Sequence, residues 1–297
     1  MKRVACSMLS LLIPALGLAA QPHVEGSMLV TGTITVNPDG GVRSYTVQDL
    51  DKLPPAVRQI IQTTVSRWQF VPITAGGKAV AAEAGMSLRI VADMVDAQHA
   101  TISIAGAAFG CDARPKSNLP GECPAGTAIR YVHREPPSYP VDALKTRVGG
   151  EVFLVLQVGR DGRVAQAAVR QVNLYSMTDH AAHYRDVLAE ATLLAASKWR
   201  FRVPTAGPSA AKDHWVVQVP VNYTVGVPRD ACGAIPCSRA SAWTTYVPGP
   251  VQDIPWSDEG KKAGSPGGSD AIAGGALFMR DDRFVLKAPP QGGTGQS

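Results

Sequence analysis

Few residues in this 297-residue chain have the types and spacing to do chemistry. His180-Ala181-Ala182-His183 puts two imidazoles at i and i+3, one helical turn apart, and Glu190 follows two turns after His183. A divalent metal held by two nitrogens and an oxygen is the chemistry such a set could do. The competing reading is a solvated helix start inside an insertion, because 38 positions separate Asp161 from Trp199 whereas 29 separate Asp39 from Trp68 in a matching stretch. That second reading is adopted, and no metal is expected. Gly76-Gly77-Lys78 has the ending of a phosphate loop, but Pro72 stands where the upstream glycine belongs and Ala79 replaces the hydroxyl residue. It reads as a turn. Neither G-x-S-x-G nor H-E-x-x-H occurs, so no catalytic residue is assigned, and neither an enzyme nor a cofactor is expected.

Positioning elements come next. The length suggests about two domains. Hydrophobic residues make up 45%, charged residues 18%, and the mean hydropathy is +0.01, a globular composition that excludes a polytopic membrane protein. The net charge of +5 falls to +3 without Lys2 and Arg3, and no basic run interleaves with aromatics. Nucleic acid is therefore not an expected partner. Met1-Lys2-Arg3, the apolar run Val4 to Ala20 and the small residues Gly17, Ala19 and Ala20 have the layout of a signal peptide cleaved before Gln21. Four cysteines then remain, an even number for an oxidising compartment. The expected pairs are Cys111 with Cys123 and Cys232 with Cys237, each closing a short loop in a Pro/Gly-bearing connector.

An internal repeat organises the rest. Leu29 to Val47 alternates apolar and polar residues around Asn37-Pro38-Asp39-Gly40, and Val152 to Val169 does so around Arg160-Asp161-Gly162, which predicts two hairpins. Val57, Ile60, Ile61, Val65 and Trp68 form one helical face; Val187, Leu188, Ala191, Leu194, Ala195 and Trp199 form another. Both helices run into Trp-x-Phe and then proline: Trp68-Gln69-Phe70 with Pro72, and Trp199-Arg200-Phe201 with Pro204. Trp68, Phe70, Trp199 and Phe201 are the expected structural core. A strand follows each helix, marked by Met86, Leu88, Ile90 and by Val217, Val219, Val221. The fold class is α+β: two tandem β-β-α-β units, each a small antiparallel sheet covered by one helix, with a largely disordered C-terminal tail.

These residues resemble the C-terminal domain of TonB-type energy transducers. The second unit carries the fuller match: Pro137-Ser138-Tyr139-Pro140, Ala143, Gly149-Gly150-Glu151, Asp161-Gly162, Trp199-Arg200-Phe201, Pro204 and Val219-Pro220-Val221-Asn222-Tyr223. The first keeps Asp39-Gly40, Trp68-Gln69-Phe70 and Pro72 but has no Tyr-Pro-x-x-Ala entry. The resemblance implies a periplasmic, non-enzymatic module that binds an extended segment of an envelope protein, such as a TonB-dependent outer-membrane receptor, by strand addition. The expected edge is the closing strand with Val217, Val219, Val221 and Tyr223, where Pro220 fits because its missing N–H can face away from a ladder. Self-association into a homodimer through sheet edges is the alternative. No Pro-rich spacer follows the apolar run, so a membrane-anchored energy transducer is expected only if that run is retained.

The resulting layout is a signal peptide (1–20), a divergent first unit (26–95), a disulfide-bearing linker (96–130), a second unit (131–227), and a Cys-loop with a flexible tail (228–297). Disorder is expected beyond about Trp256, with a short docking strand near Phe284. Trp243, Tyr246 and Trp256 are expected to pack on the second unit, the alternative being a small exposed patch for a partner.

Overall fold

The computed structural model describes residues 24–94, 99–111, 123–225, 243–257, 271–272, 274, 276–279, 281–288 and 295–296. The leader, Cys232 and Cys237 lie outside these residues.

Strand β1 (Glu25–Val36) alternates half-buried and buried side chains without a break, the period-2 pattern of a strand with one face on a core. It pairs antiparallel with β2 (Val42–Val47) across the Asn37–Gly40 turn. Helix α1 (Pro55–Val65) has Pro54 as its cap residue and proline at N1, where the missing N–H costs nothing, and it buries Val57, Ile60, Ile61 and Val65 as the spacing predicts. Two short strands, β3 (Thr74–Ala75) and β4 (Lys78–Ala79), turn at Gly76-Gly77, both at positive φ. Strand β5 (Ala82–Met94) then pairs along all of β1 and buries Met86, Leu88 and Ile90. Its other edge is filled from Gly85 to Met94 by β6 (Ala100–Gly110). The stretch 96–130 therefore contributes a full strand where a linker was expected; Ile102, Ile104, Ala107 and Phe109 join the first core.

The second half begins with β7 (Arg130–His133) and a short helix α2 (Val141–Lys145). Strands β8 (Gly150–Gly159) and β9 (Val164–Leu174) form a hairpin, followed by α3 (Ala181–Ala196), β10 (Arg200–Arg202) paired with β7, and β11 (His214–Tyr223) paired along all of β8. The fold is mixed α+β with mostly antiparallel sheets and few helices among the described residues. One sheet has β5 and β2 flanking β1, the other β11 and β9 flanking β8. The buried stripe of α3 is Tyr184, Leu188, Thr192, Ala195 and Ala196, so Leu194, expected on the core face, is exposed instead. The stripe was misplaced because it runs through a threonine, whose hydroxyl contacts the Leu188 carbonyl (2.7 Å) and the Tyr223 hydroxyl (2.8 Å).

The described residues of the tail are built into both sheets. Strand β12 (Thr244–Tyr246) continues the β2 edge of β1, Val247 bridges to Leu174, and Gln252 N–H donates to the Arg170 carbonyl. This segment thus straps both sheets. Trp243 packs with the first core, not the second, and Tyr246 OH bonds the Glu25 carboxylate, itself paired with Arg89 at 3.1 Å. Further on, β13 (Phe278–Met279) pairs with β11, Phe284 and Leu286 are buried in the first core, and β14 (Gly295–Gln296) pairs with β6. The short strand expected near Phe284 is a single bridge from Leu286 to Phe70. Rings and aliphatic groups that look isolated in a polar tail gain enough burial from two preformed sheets to be held there.

Candidate functional site

The tight-turn residues act as locks between hairpin and helix end. Gly159 N–H donates to the Arg163 carbonyl (2.9 Å), Gly162 N–H to the Gly159 carbonyl (3.0 Å), and the Asp161 carboxylate accepts from Arg163 N–H (3.0 Å). Asn37, Gly40, Gly41 and Asp39 make the same three bonds at 2.8, 2.9 and 2.8 Å. Each glycine then accepts from the phenylalanine of Trp-x-Phe: Phe70 N–H to Gly40 and Phe201 N–H to Gly162, both 2.8 Å. Trp68 and Trp199 are buried, Trp68 edge-on to Phe109 and Trp199 edge-on to Tyr131.

Tyr139, Pro140, Ala143 and Gly150 gather at the other end of the second sheet, whereas Pro204 follows Phe201 near the turn. Tyr139 OH donates to the Val148 carbonyl (2.9 Å) and its ring stands edge-on to Tyr223 at 5.4 Å. Pro140 caps α2, Ala143 is fully buried, and Pro204 is buried beyond β10. A Cβ at Gly150 would lie 2.4 Å from the Asn173 carbonyl oxygen, so only glycine fits where β8 and β9 come together. Burial and the neighbouring Tyr223 hydroxyl push the Tyr139 phenol up to about 12. Tyr175, whose hydroxyl donates to Asn222 Oδ1 at 2.7 Å, is also pushed up, by burial first and then by Glu151 and Tyr139. These are packed, neutral phenols, suited to holding a sheet end together and not to proton transfer near neutrality.

What this frame presents is the outer edge of β11. Val217, Val219, Val221 and Tyr223 are buried, and their side chains belong to the core under α3. The β8–β11 ladder runs through Pro220 without a register shift, as it must if the missing donor lies on the outer side. On that side β13 meets only Val217 and Gln218; among the described residues, Val219 to Tyr223 have no strand there. The corresponding edge of β5 is closed by β6. A strand edge without a ladder partner can accept an extended chain.

The other candidates do not assemble. His180, His183 and Glu190 are exposed, and His183 Nε2 lies 3.9 Å from Asp142 Oδ2. Among the described residues no group of three or more His, Cys, Asp or Glu is placed to hold a metal. Lys78 follows Gly76-Gly77 on a strand, so the positive end of a helix, which a phosphate loop needs, is missing. Ser209 and Lys212 have the S-x-x-K spacing of a serine with a lysine base, but the Lys212 ammonium is engaged in an ion pair with Asp282. The Cys111–Cys123 disulfide is formed, at the end of β6. Sequence reasoning missed β6 and the seat of Phe278, although the alternation of Ile102 and Ile104 and the apolar run at Ala276 to Phe278 were visible signals.

Residues 135–225 match the family model of the Gram-negative bacterial TonB protein C-terminal. "Protein TonB" of Xanthomonas campestris pv. campestris strain B100 is 32% identical over 101 residues, 34% of this chain and 40% of that protein. The protein of the same name in strain ATCC 33913 has the same identity and coverage. The chain thus spans about two-fifths of the length of these curated relatives, and the matches support the TonB C-terminal family for the second half of the described structure. Among the described residues no helix is long and apolar enough to cross a membrane.

Proposed function

We propose that the second unit, residues 131–227, is a periplasmic protein-binding module of the TonB C-terminal kind. It captures an extended segment of an envelope protein, a TonB-dependent outer-membrane receptor in the first instance, by adding it as a strand to β11 during TonB-type transport. The observation that carries this reading is that, within the segment that matches the family, Val219 to Tyr223 pair with no strand on the outer side of β11 among the described residues. Main-chain bonds supply affinity in strand addition and leave side chains to choose the partner, so no catalytic group is required.

The first unit, residues 26–95, is read as a divergent tandem copy. Support comes from the repeated turn bonds, the repeated Phe-to-Gly lock and the shared strand order around β1 and β8. With β6 filling its edge, the first unit serves as a scaffold and only the second binds.

A photo-activatable residue at Thr224, just beyond β11, tests the proposal in cells. Cross-links to the periplasm-facing segment of an outer-membrane receptor are expected. Cross-links confined to a second copy of this chain would replace receptor capture by self-association.

A further inference from the structure

The β11 edge is already partly occupied, and the occupant is the chain's own tail. Phe278 and Met279 lie antiparallel to β11 opposite Gln218 and Val217. The pairing is held from both sides. Before it, Ala271 and Ile272 pack with Phe278 and Ala108, and Ser87 Oγ donates to the Ala271 carbonyl. After it, Asp281 accepts from Arg283 and Phe284 N–H, Asp282 pairs with Lys212, and Phe284 and Leu286 enter the first core. A two-residue ladder is weak by itself. Tethered between two anchors, it gains the high effective concentration of an intramolecular ligand.

The seat is also imperfect. Gln218 is buried under β13, yet its side-chain oxygen has no hydrogen-bond partner among the described residues. Phe278, directly opposite, has no donor in its side chain to offer it. An incoming strand that carries a donor side chain at that register would satisfy the oxygen, and its main chain could continue along Val219 to Tyr223, with which β13 does not pair.

We infer that β13 is a built-in competitor for the docking edge: the tail closes the Val217–Gln218 end of β11 until an external strand, running along the whole edge, displaces it. This rests on the strand-addition reading of β11. The first core need not open for the exchange, because the anchors at Phe284 and Leu286 lie beyond the turn at Asp281.

The test uses the full chain and, as probe, a synthetic peptide with the sequence of residues 276–282, followed by backbone amide shifts in NMR. Met279→Pro removes a backbone donor of the tail, and Phe278→Ala removes its apolar anchor while leaving the backbone intact; unchanged dispersion elsewhere reports that each variant is folded. Both variants should bind the free peptide at Val217 to Tyr223 at least tenfold more tightly than the parent chain. Equal binding of parent and variants at β11 would overturn the competitor and leave strand capture standing. If neither variant binds although amide exchange shows Val217 and Gln218 released, β11 is not an acceptor, and both proposals fall.

Discussion

The amide of Phe201 donates to the carbonyl of Gly162 at 2.8 Å, which ties the end of α3 to the β8–β9 turn. Gly162 sits at φ +74, and a Cβ there would lie 2.1 Å from the Phe201 carbonyl oxygen. Gly162→Ala therefore strains the backbone and breaks the lock together, an expected loss of about 2 to 4 kcal/mol. Gly40→Ala, which meets the Phe70 oxygen at the same 2.1 Å, should cost the first unit as much. Gly76→Ala is the control: φ is +56 but nothing lies within 4 Å, so only the backbone cost of about 1 kcal/mol remains. Urea unfolding of the three variants measures the contrast.

The two tryptophans occupy like places but differ at the indole nitrogen. Trp199 Nε1 donates to the Glu135 carbonyl at 2.8 Å, and Arg134 lies over the ring. Trp68 Nε1 is buried with no partner among the described residues. The first unit has no Tyr-Pro-x-x-Ala entry segment to supply that carbonyl. Trp199→Phe should therefore cost about 1 kcal/mol more than Trp68→Phe, because only the former strands an acceptor as well as losing a bond. Denaturant midpoints decide it, and equal losses would remove the entry segment from the argument.

Much of this was legible in the sequence for a physical reason. The hairpins, the helices and the Trp-x-Phe locks are local patterns written by period and turn chemistry, the longest reach being the 39 positions from Gly162 to Phe201. Phe278 on β11 and Leu286 on Phe70 are not local, and the residues around them satisfy no period of their own. Their burial depends on surfaces built 60 and 216 positions earlier, which no window on the tail can contain. The candidate edge was legible as a strand. That its four named side chains face the core follows from α3 covering that face, while β13 and β6, which decide how much of either edge is open, were not foreseen.

Alkaline pH should weaken the second unit. Burial pushes the phenols of Tyr131 and Tyr139 from their ordinary 10.0 to about 12. Below pH 10 both folded and unfolded chains keep these protons, so the contribution to stability is fully present. As pH rises from 10 toward 12 the unfolded chain loses protons that the folded chain retains, and stability falls until the folded pKa is passed. The urea midpoint should drop between pH 10 and 11, with the tyrosinate absorbance of folded protein lagging behind that of free tyrosine. A flat midpoint over this interval counts against buried, neutral phenols.

Reducing Cys111–Cys123, or replacing both residues by serine, frees a connector whose ends are 12 positions apart. The expected loss is about 3 kcal/mol on the loop-closure account. Because Cys111 ends β6, the first sheet should be the part that loosens, and amide exchange at Phe109 and Gly110 should rise before any change at β8 or β9.

The tail completes the first core. Phe284 stands edge-on to Phe70 with ring centroids 6.2 Å apart, Val71 N–H donates to the Val285 carbonyl at 2.8 Å, and Lys287 N–H donates to the Gln69 carbonyl at 2.8 Å. Three residues more than 200 positions from the Trp68-Gln69-Phe70 lock thus cover it, and Phe284→Ala should destabilise the first unit by about 3 to 5 kcal/mol. Phe278→Ala acts elsewhere, at the β11 edge. The two variants therefore separate the tail's roles: Phe284→Ala should lower the unfolding midpoint of the first unit, whereas Phe278→Ala should leave the burial of Trp68 unchanged and raise exchange at Val217 and Gln218. If Phe284→Ala left the midpoint where it was, the tail would have to be regarded as resting on the first core without stabilising it, and its hold on β13 would rest on Ala271, Ile272 and the Lys212–Asp282 pair alone.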